Sequence, residues 1–198
     1  MKYDGMSKIY GMIISGIIKD KIKDKAVRKE IKRKYKEIVE RADDIGGSKN
    51  NLIGSYLLAA YFIAMNRTTG LTPEENIDIM DKGMRNSGLV KAFMGDSKGY
   101  FSEKKMQFRR EWAKETHKRK YKNDWVVDVL EKTDDYQFGL DYTECGVCKL
   151  CRDEGCPELA KYLCRLDYML VEIMGLGLHR TMTLADGYEK CDFRFIKL

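Results

Sequence analysis

The chain reads as an α+β protein: an N-terminal helical subdomain packed with a C-terminal antiparallel sheet of two β-hairpins joined by a helix. Three observations predict this. Apolar residues recur at helical spacing from Ser7 to about Lys118, the period shortens to two from Asp124, and an Asp186-Gly187 step of the kind preferred in hairpin turns lies near the end. The change of period places the helical subdomain at 1–122 and an α+β subdomain, carrying all six cysteines, at 123–198. A chain of 198 residues suits one compact domain and buries roughly two-thirds of its unfolded surface without staples.

The first helix is expected over about Ser7 to Ile22 and the second over Lys25 to Ala42, where Val27, Ile31, Tyr35, Ile38 and Val39 share one face. Opposite them runs a dense Lys/Arg face. Glu30-to-Lys34 spacing and the lack of interleaved aromatics make it a solvated surface rather than a nucleic-acid platform. Gly46-Gly47 breaks the chain, and Ser48 is positioned to cap the next helix, Asn50 to Asn66, which is apolar almost all round and so central. Thr72-Pro73-Glu74-Glu75 has the form of a capping box with proline in the first turn. The helix it opens runs to about Lys82, and a further turn or two covers Leu89 to Met94. The last N-terminal helix spans about Ser102 to Lys118, with Met106, Phe108, Trp112 and Ala113 towards the core.

In the last third, pairing Val129 with Phe138 sets Val127 opposite Leu140 and Trp125 opposite Tyr142 around a four-residue loop. Pro157 opens a helix that Gly175 ends. Its core stripe is Leu159, Leu163, Leu166, Leu170 and Ile173, with Cys164 and Asp167 one turn apart at the edge of that stripe. A two-residue turn at Asp186-Gly187 pairs Met182 with Cys191, Arg180 with Phe193 and Leu178 with Phe195. That register puts Arg180 and Cys191 on an apolar face, and a guanidinium there needs an anion, Asp167 or a substrate carboxylate.

Composition narrows the function classes. A net charge of +6, from 37 basic and 31 acidic residues, is too mixed for a dedicated nucleic-acid binder. The most apolar run, Leu52 to Met65, is shorter than the roughly 20 residues of a membrane span. Met1-Lys2-Tyr3-Asp4 lacks an export-signal pattern, so a cytoplasmic location is expected, with the cysteines as ligands, thiols or core residues rather than disulfides. The spacing Cys145-x2-Cys148-x2-Cys151-x4-Cys156 admits a zinc site or an iron–sulfur cluster, or alternatively free or redox-active loop thiols. The partner expected is a small molecule, with neither nucleic acid nor membrane.

Four runs carry a likeness. Cys156-Pro157-Glu158-Leu159, Cys164-Arg165-Leu166-Asp167, Leu178-His179-Arg180-Thr181-Met182-Thr183-Leu184-Ala185-Asp186-Gly187 and Cys191-Asp192-Phe193-Arg194-Phe195 together resemble the L-2-amino-thiazoline-4-carboxylic acid hydrolase family. Ile45-Gly46-Gly47 and Gly70-Leu71-Thr72-Pro73-Glu74-Glu75 look like that family's N-terminal half. The resemblance implies a hydrolase of a carbon–nitrogen bond in a small cyclic amidine, such as 2-amino-thiazoline-4-carboxylate, opening to an N-carbamoyl amino acid. On that chemistry Cys164 or Cys191 is the nucleophile, Asp167 shuttles a proton or orients the thiol, and Arg180 anchors the substrate carboxylate or activates a thiol. His179, Thr181 and Thr183 join Arg180 in binding, and no cofactor is required. Two other readings stand beside it. One is a non-catalytic small-molecule or tetrapyrrole-binding sensor domain, since the unit also resembles vinyl-reductase-type domains. The other is a metal or iron–sulfur protein organised by residues 145–156.

Overall fold

The computed structural model describes residues 1–95 and 97–198. In chain order the helices are α1 (Gly5–Ile18), α2 (Lys25–Arg41), α3 (Ile53–Asn66), α4 (Pro73–Asn86), α5 (Gly88–Met94), α6 (Glu103–Thr116), α7 (Gly146–Asp153), α8 (Ala160–Leu163) and α9 (Arg165–Ile173). The strands are β1 (Val126–Leu130), β2 (Phe138–Glu144), β3 (Leu176–His179) and β4 (Cys191–Lys197). The α+β class is therefore as the periodicities require. The chain divides into two compact units: Met1–Ser87, Tyr121–Asn123 and Gly146–Leu163 form one, and Gly88–Lys120, Asp124–Cys145 and Cys164–Leu198 the other. This division interleaves the chain, where the change of period suggests a single boundary at 122/123. It also separates the cysteines three and three.

The first unit is helical. α3 is its centre, with Tyr56, Leu57, Tyr61, Phe62, Ile63 and Met65 almost fully buried, as its all-round apolar sequence demands. Its start differs from expectation. Ser48 lies in a 3-10 turn, Gly47–Lys49, and it is the Asn50 side chain that accepts the Leu52 amide at 2.8 Å ahead of the helix. The capping box on α4 is present, the Glu75 amide donating to Thr72 Oγ1 at 3.2 Å and the Thr72 amide to Glu75 Oε2 at 2.8 Å. On α2 the basic face is laced to its own acids, Arg33 with Glu30 and Glu37, Lys36 with Glu40, so it is a solvated surface.

The second unit is a four-stranded antiparallel sheet in the order β1-β2-β4-β3, with α6 and α9 against its apolar face. Met106, Ala113, Val127, Phe138, Leu140, Val171, Leu176 and Phe195 form its core. In β1–β2 the register is two residues from the expected one. Val129 faces Leu140 and Val127 faces Tyr142, while Trp125 precedes the strand. A slip of two preserves which side chains face inward, so alternation alone does not decide between the two registers. The turn decides it. The Thr133 amide donates to the Tyr136 carbonyl at 3.0 Å, closing a two-residue turn at Asp134-Asp135 in place of the four-residue loop, and Phe138 meets Phe195 on β4 across the other edge of β2, the rings stacked at 4.5 Å.

The last hairpin has the expected register at Leu178–Phe195, but its ladder stops at His179–Arg194. Residues 180–190 form a loop around a 3-10 turn, Leu184–Asp186, closed by Gly187 in the left-handed region at φ 89°. The Pro157–Gly175 helix is likewise broken, into a 3-10 turn, α8 and α9, with Cys164 at the break. On α6 Arg109, not Phe108, is buried, its guanidinium carbon 4.4 Å and 4.1 Å from the ring centres of Tyr100 and Phe138. Among the described residues no helix is long and apolar enough to cross a membrane.

Within the first unit α4 crosses α1 at backbone contact. A Cβ on Gly83 would lie 2.4 Å from Ile17 Cγ2 and 2.7 Å from the Ile17 carbonyl oxygen. Alanine gains about 1 kcal/mol in helix propensity over glycine, but overpacking of this kind costs about 1–3 kcal/mol and here the obstacle is backbone. Gly83→Ala should therefore lower the urea midpoint of unfolding. A midpoint at or above that of the unsubstituted protein would refute the close-packing account.

Candidate active site

The second unit gathers most of the residues expected to carry chemistry around one guanidinium. Arg180 leaves the end of β3 on the apolar face. Its Nη1 donates to Asp167 Oδ2 at 2.6 Å and its Nη2 to the Cys164 carbonyl at 2.9 Å. Its flat faces meet Tyr168 and Phe193, each ring centre 4.9 Å from the guanidinium carbon, and its side chain is 5% exposed. Tyr168 Oη donates back to the Arg180 carbonyl at 3.1 Å. The i, i+3 spacing of Cys164 and Asp167 lets one arginine hold both.

Cys191 opens β4, buried and opposite Tyr142 on β2. The Leu184 amide donates to its sulfur at 3.2 Å. That donor is aimed by Asp192. Its carboxylate accepts the Thr181 amide at 2.9 Å and the Met182 amide at 2.6 Å on one oxygen, and the Thr181 hydroxyl at 2.7 Å on the other. Burial alone would raise the Asp192 carboxyl, but these donors outweigh it and hold it below the usual range. Thr183 Oγ1 donates to Asp186 Oδ2 at 2.6 Å and accepts the Asp186 amide at 3.1 Å. Thr181 and Thr183 thus shape the loop, and His179 is exposed at the end of β3.

Burial, aided by the charge of Asp167, pushes the Cys164 thiol far above its ordinary value. Burial also lifts Cys191 to about 11, against the opposing pull of the Leu184 amide. Arg180 favours both thiolates, but its effect is the smaller one because its charge is spent on Asp167. The expectation that arginine eases a thiol towards thiolate is therefore corrected: both thiols rest protonated. For Asp167 burial outweighs Arg180 and raises the carboxyl to about 6. Its side chain is still 36% exposed, so water limits that push. Cys145, just beyond β2, is near enough to raise Cys164, Cys191 and Tyr142, and so belongs to this cluster.

The chain was compared with protein-family models, curated proteins and solved structures. The model of the L-2-amino-thiazoline-4-carboxylic acid hydrolase family matches residues 50–195. The chain belongs to that family. No curated protein and no solved structure matches it with significance.

In this family member the match takes in every residue of the cluster. Of those expected from sequence, Cys164, Asp167, Arg180 and Cys191 come together. Thr181 and Thr183 are engaged in the loop, and His179 has no part in the hydrogen bonds around Arg180 and Cys191. In the run Cys145, Cys148, Cys151, Cys156 the middle two lie on α7. Residues 146–153 wind into α7 instead of a loop, and no group of three His, Cys, Asp or Glu among the described residues could hold a metal ion. Asp192 and Leu184 lie beyond the residues expected from sequence, and Cys145, expected as a possible metal ligand or loop thiol, lies beside this cluster. Asp192 stands in the quoted Cys191-Asp192 motif, but its loop-organising role follows only once the ladder is known to stop at His179.

The raised Asp167 has a stability consequence with a definite sign. Its proton is held more tightly folded than unfolded, so its stabilising contribution is complete below its ordinary value of 3.8 and is lost as pH rises through about 6. Denaturant titrations from about pH 4 to about pH 7 should show the wild type losing stability relative to Asp167→Asn over that interval. Parallel curves would overturn the assignment.

Proposed function

We propose that this family member hydrolyses a small cyclic amidine bearing a carboxylate, of the 2-amino-thiazoline-4-carboxylate class, with Cys191 as nucleophile and Asp167 as proton carrier. The observation that carries the choice of Cys191 over Cys164 is the Leu184 amide directed at its sulfur, a donor that strengthens as thiolate charge develops. Among the described residues no such donor is directed at the Cys164 sulfur, and its thiol is the harder to ionise.

In the proposed sequence ionised Asp167 takes the Cys191 proton as sulfur attacks the amidine carbon. The ring carbon–sulfur bond then breaks, and the departing sulfur receives that proton. Water next attacks the enzyme-bound carbon, giving one proton to Asp167, which returns it to Cys191 as the sulfur leaves, and its other proton to the former imine nitrogen as the carbonyl forms. One water is consumed and an N-carbamoyl product is released. On this route the carbon–nitrogen double bond falls to a single bond, while the bond fully broken in the ring is carbon–sulfur. Arg180 acts as a positioning residue, because both terminal nitrogens are already committed to Asp167 and Cys164.

Turnover of aminothiazoline carboxylate, followed by release of free thiol, tests this reading. Cys191→Ser should fall to background while Cys164→Ser retains most activity, and Asp167→Asn should lose about 10²–10⁴-fold in kcat. Because the ionised carboxylate is the base, kcat/KM should rise with pH through a midpoint near 6, and Asp167→Asn should lack that limb. Full activity in Cys191→Ser would eliminate the covalent route.

A further inference from the structure

Two thiols of the first unit take no part in the proposed hydrolysis. α7 ends at Asp153, Gly155 follows in the left-handed region at φ 70°, and the Cys156 amide donates to the Cys151 carbonyl at 2.8 Å. The Gly155 amide donates to the Arg152 carbonyl at 2.9 Å. This pair of bonds is the Schellman termination, in which the residue three from the helix end and the residue after the glycine habitually bring their side chains together, usually as an apolar contact. Here both positions are cysteine. With the 2.8 Å hydrogen bond, standard bond lengths and the fixed angle at the carbonyl carbon cap the Cα–Cα separation at roughly 6.7 Å, inside the roughly 4.4–6.8 Å that a disulfide spans.

The two thiols are unequal. Cys151 is fully buried, whereas Cys156 is half-buried between exposed Gly155 and Pro157. A hydrogen bond shared with the Cys151 thiol, with a smaller contribution from the Arg67 charge, lowers the Cys156 thiol against the effects of burial, Glu158 and Glu154. Arg67 is fixed there, its Nη1 2.6 Å from Glu154 Oε2 and its Nη2 donating to the Glu154 carbonyl at 2.6 Å. A reachable thiol beside an arginine, with a second thiol in contact behind it, is the arrangement of an attacking and a resolving cysteine.

We propose that Cys151 and Cys156 form a reactive dithiol that is oxidised by low-molecular-weight disulfides, Cys156 attacking and Cys151 resolving. The Cys156 thiolate attacks one sulfur of the small disulfide, forming a mixed disulfide and expelling one thiolate. Cys151 then loses its proton and attacks the Cys156 sulfur, closing the Cys151–Cys156 bond and expelling the second thiolate. The dithiol gives up two electrons and two protons in all, and the small disulfide becomes two thiols. The inference is independent of the hydrolase reading.

Glutathione disulfide is the probe. Native full-length protein is exposed to it, alkylated and digested with trypsin, which cuts after Lys149 and Arg152 and so separates the two cysteines unless a disulfide joins their peptides. The expected result is a Cys151–Cys156 cross-link reversed by dithiothreitol, with Cys156 alkylated by iodoacetamide about 10-fold faster than Cys164 or Cys191 near neutral pH. Cys151→Ser, its fold checked by circular dichroism, should trap glutathione on Cys156. A cross-link that never forms while another cysteine takes up glutathione, or a Cys156 no faster than Cys191, overturns the proposal. Both readouts come from the unsubstituted protein and do not depend on whether a variant folds.

Discussion

A guanidinium on an apolar sheet face must find an anion or lose more solvation than the fold can supply. Arg180 meets that constraint by binding Asp167, and in doing so ties three pieces of the second unit together. Its two prongs reach the Cys164 carbonyl and Asp167 at the start of α9, its planar faces lie on Tyr168 and Phe193, and its own carbonyl accepts from Tyr168. Lysine has neither the fork nor the flat face to do the same. The break in the helix at Cys164 is part of this arrangement, since the carbonyl at the break is the one Arg180 occupies.

Asp192 plays the matching part on the sheet side. By capturing the amides of Thr181 and Met182 it supplies what strand pairing would otherwise provide, so the hairpin gives way to a loop that directs the Leu184 amide at Cys191. Asp192 stands directly opposite Asp141 in the β2–β4 register, a costly pairing of like charges. Lys190 and Arg194 bind Asp141 at 2.6 Å and 2.7 Å, and the donors on Asp192 neutralise the other side.

Much of this was legible in the sequence. The placement of the helices, the capping box, the Leu178–Phe195 register and the need of Arg180 for an anion all follow from local spacing or from a single face. The misreadings have physical causes. The two-residue slip of β1 on β2 follows from the turn at Asp134-Asp135, which is two residues shorter than the loop expected. The early end of the β3–β4 ladder depends on a partner outside β3, Asp192, which takes the loop amides. Arg109 followed the same logic, as a basic residue on a basic helix whose burial rests on Tyr100 and Phe138. The cysteine run read as a loop because its spacing resembles ligand spacing, whereas Cys148 and Cys151 are one helical turn apart.

The interleaving of the two units bears on how the chain can fold during synthesis. Glu154, whose side chain is 4% exposed, receives Arg41 and Arg67 from the N-terminal stretch, so those arginines await a carboxylate encoded about a hundred residues later. α3 gains the cover of α7 only when residues 146–153 have left the ribosome, by which time β1 and β2 are already out. Neither unit is a contiguous segment. Cutting the gene at the change of period would yield two incomplete fragments rather than two domains, and slow, long-range docking is built into the order of the sequence.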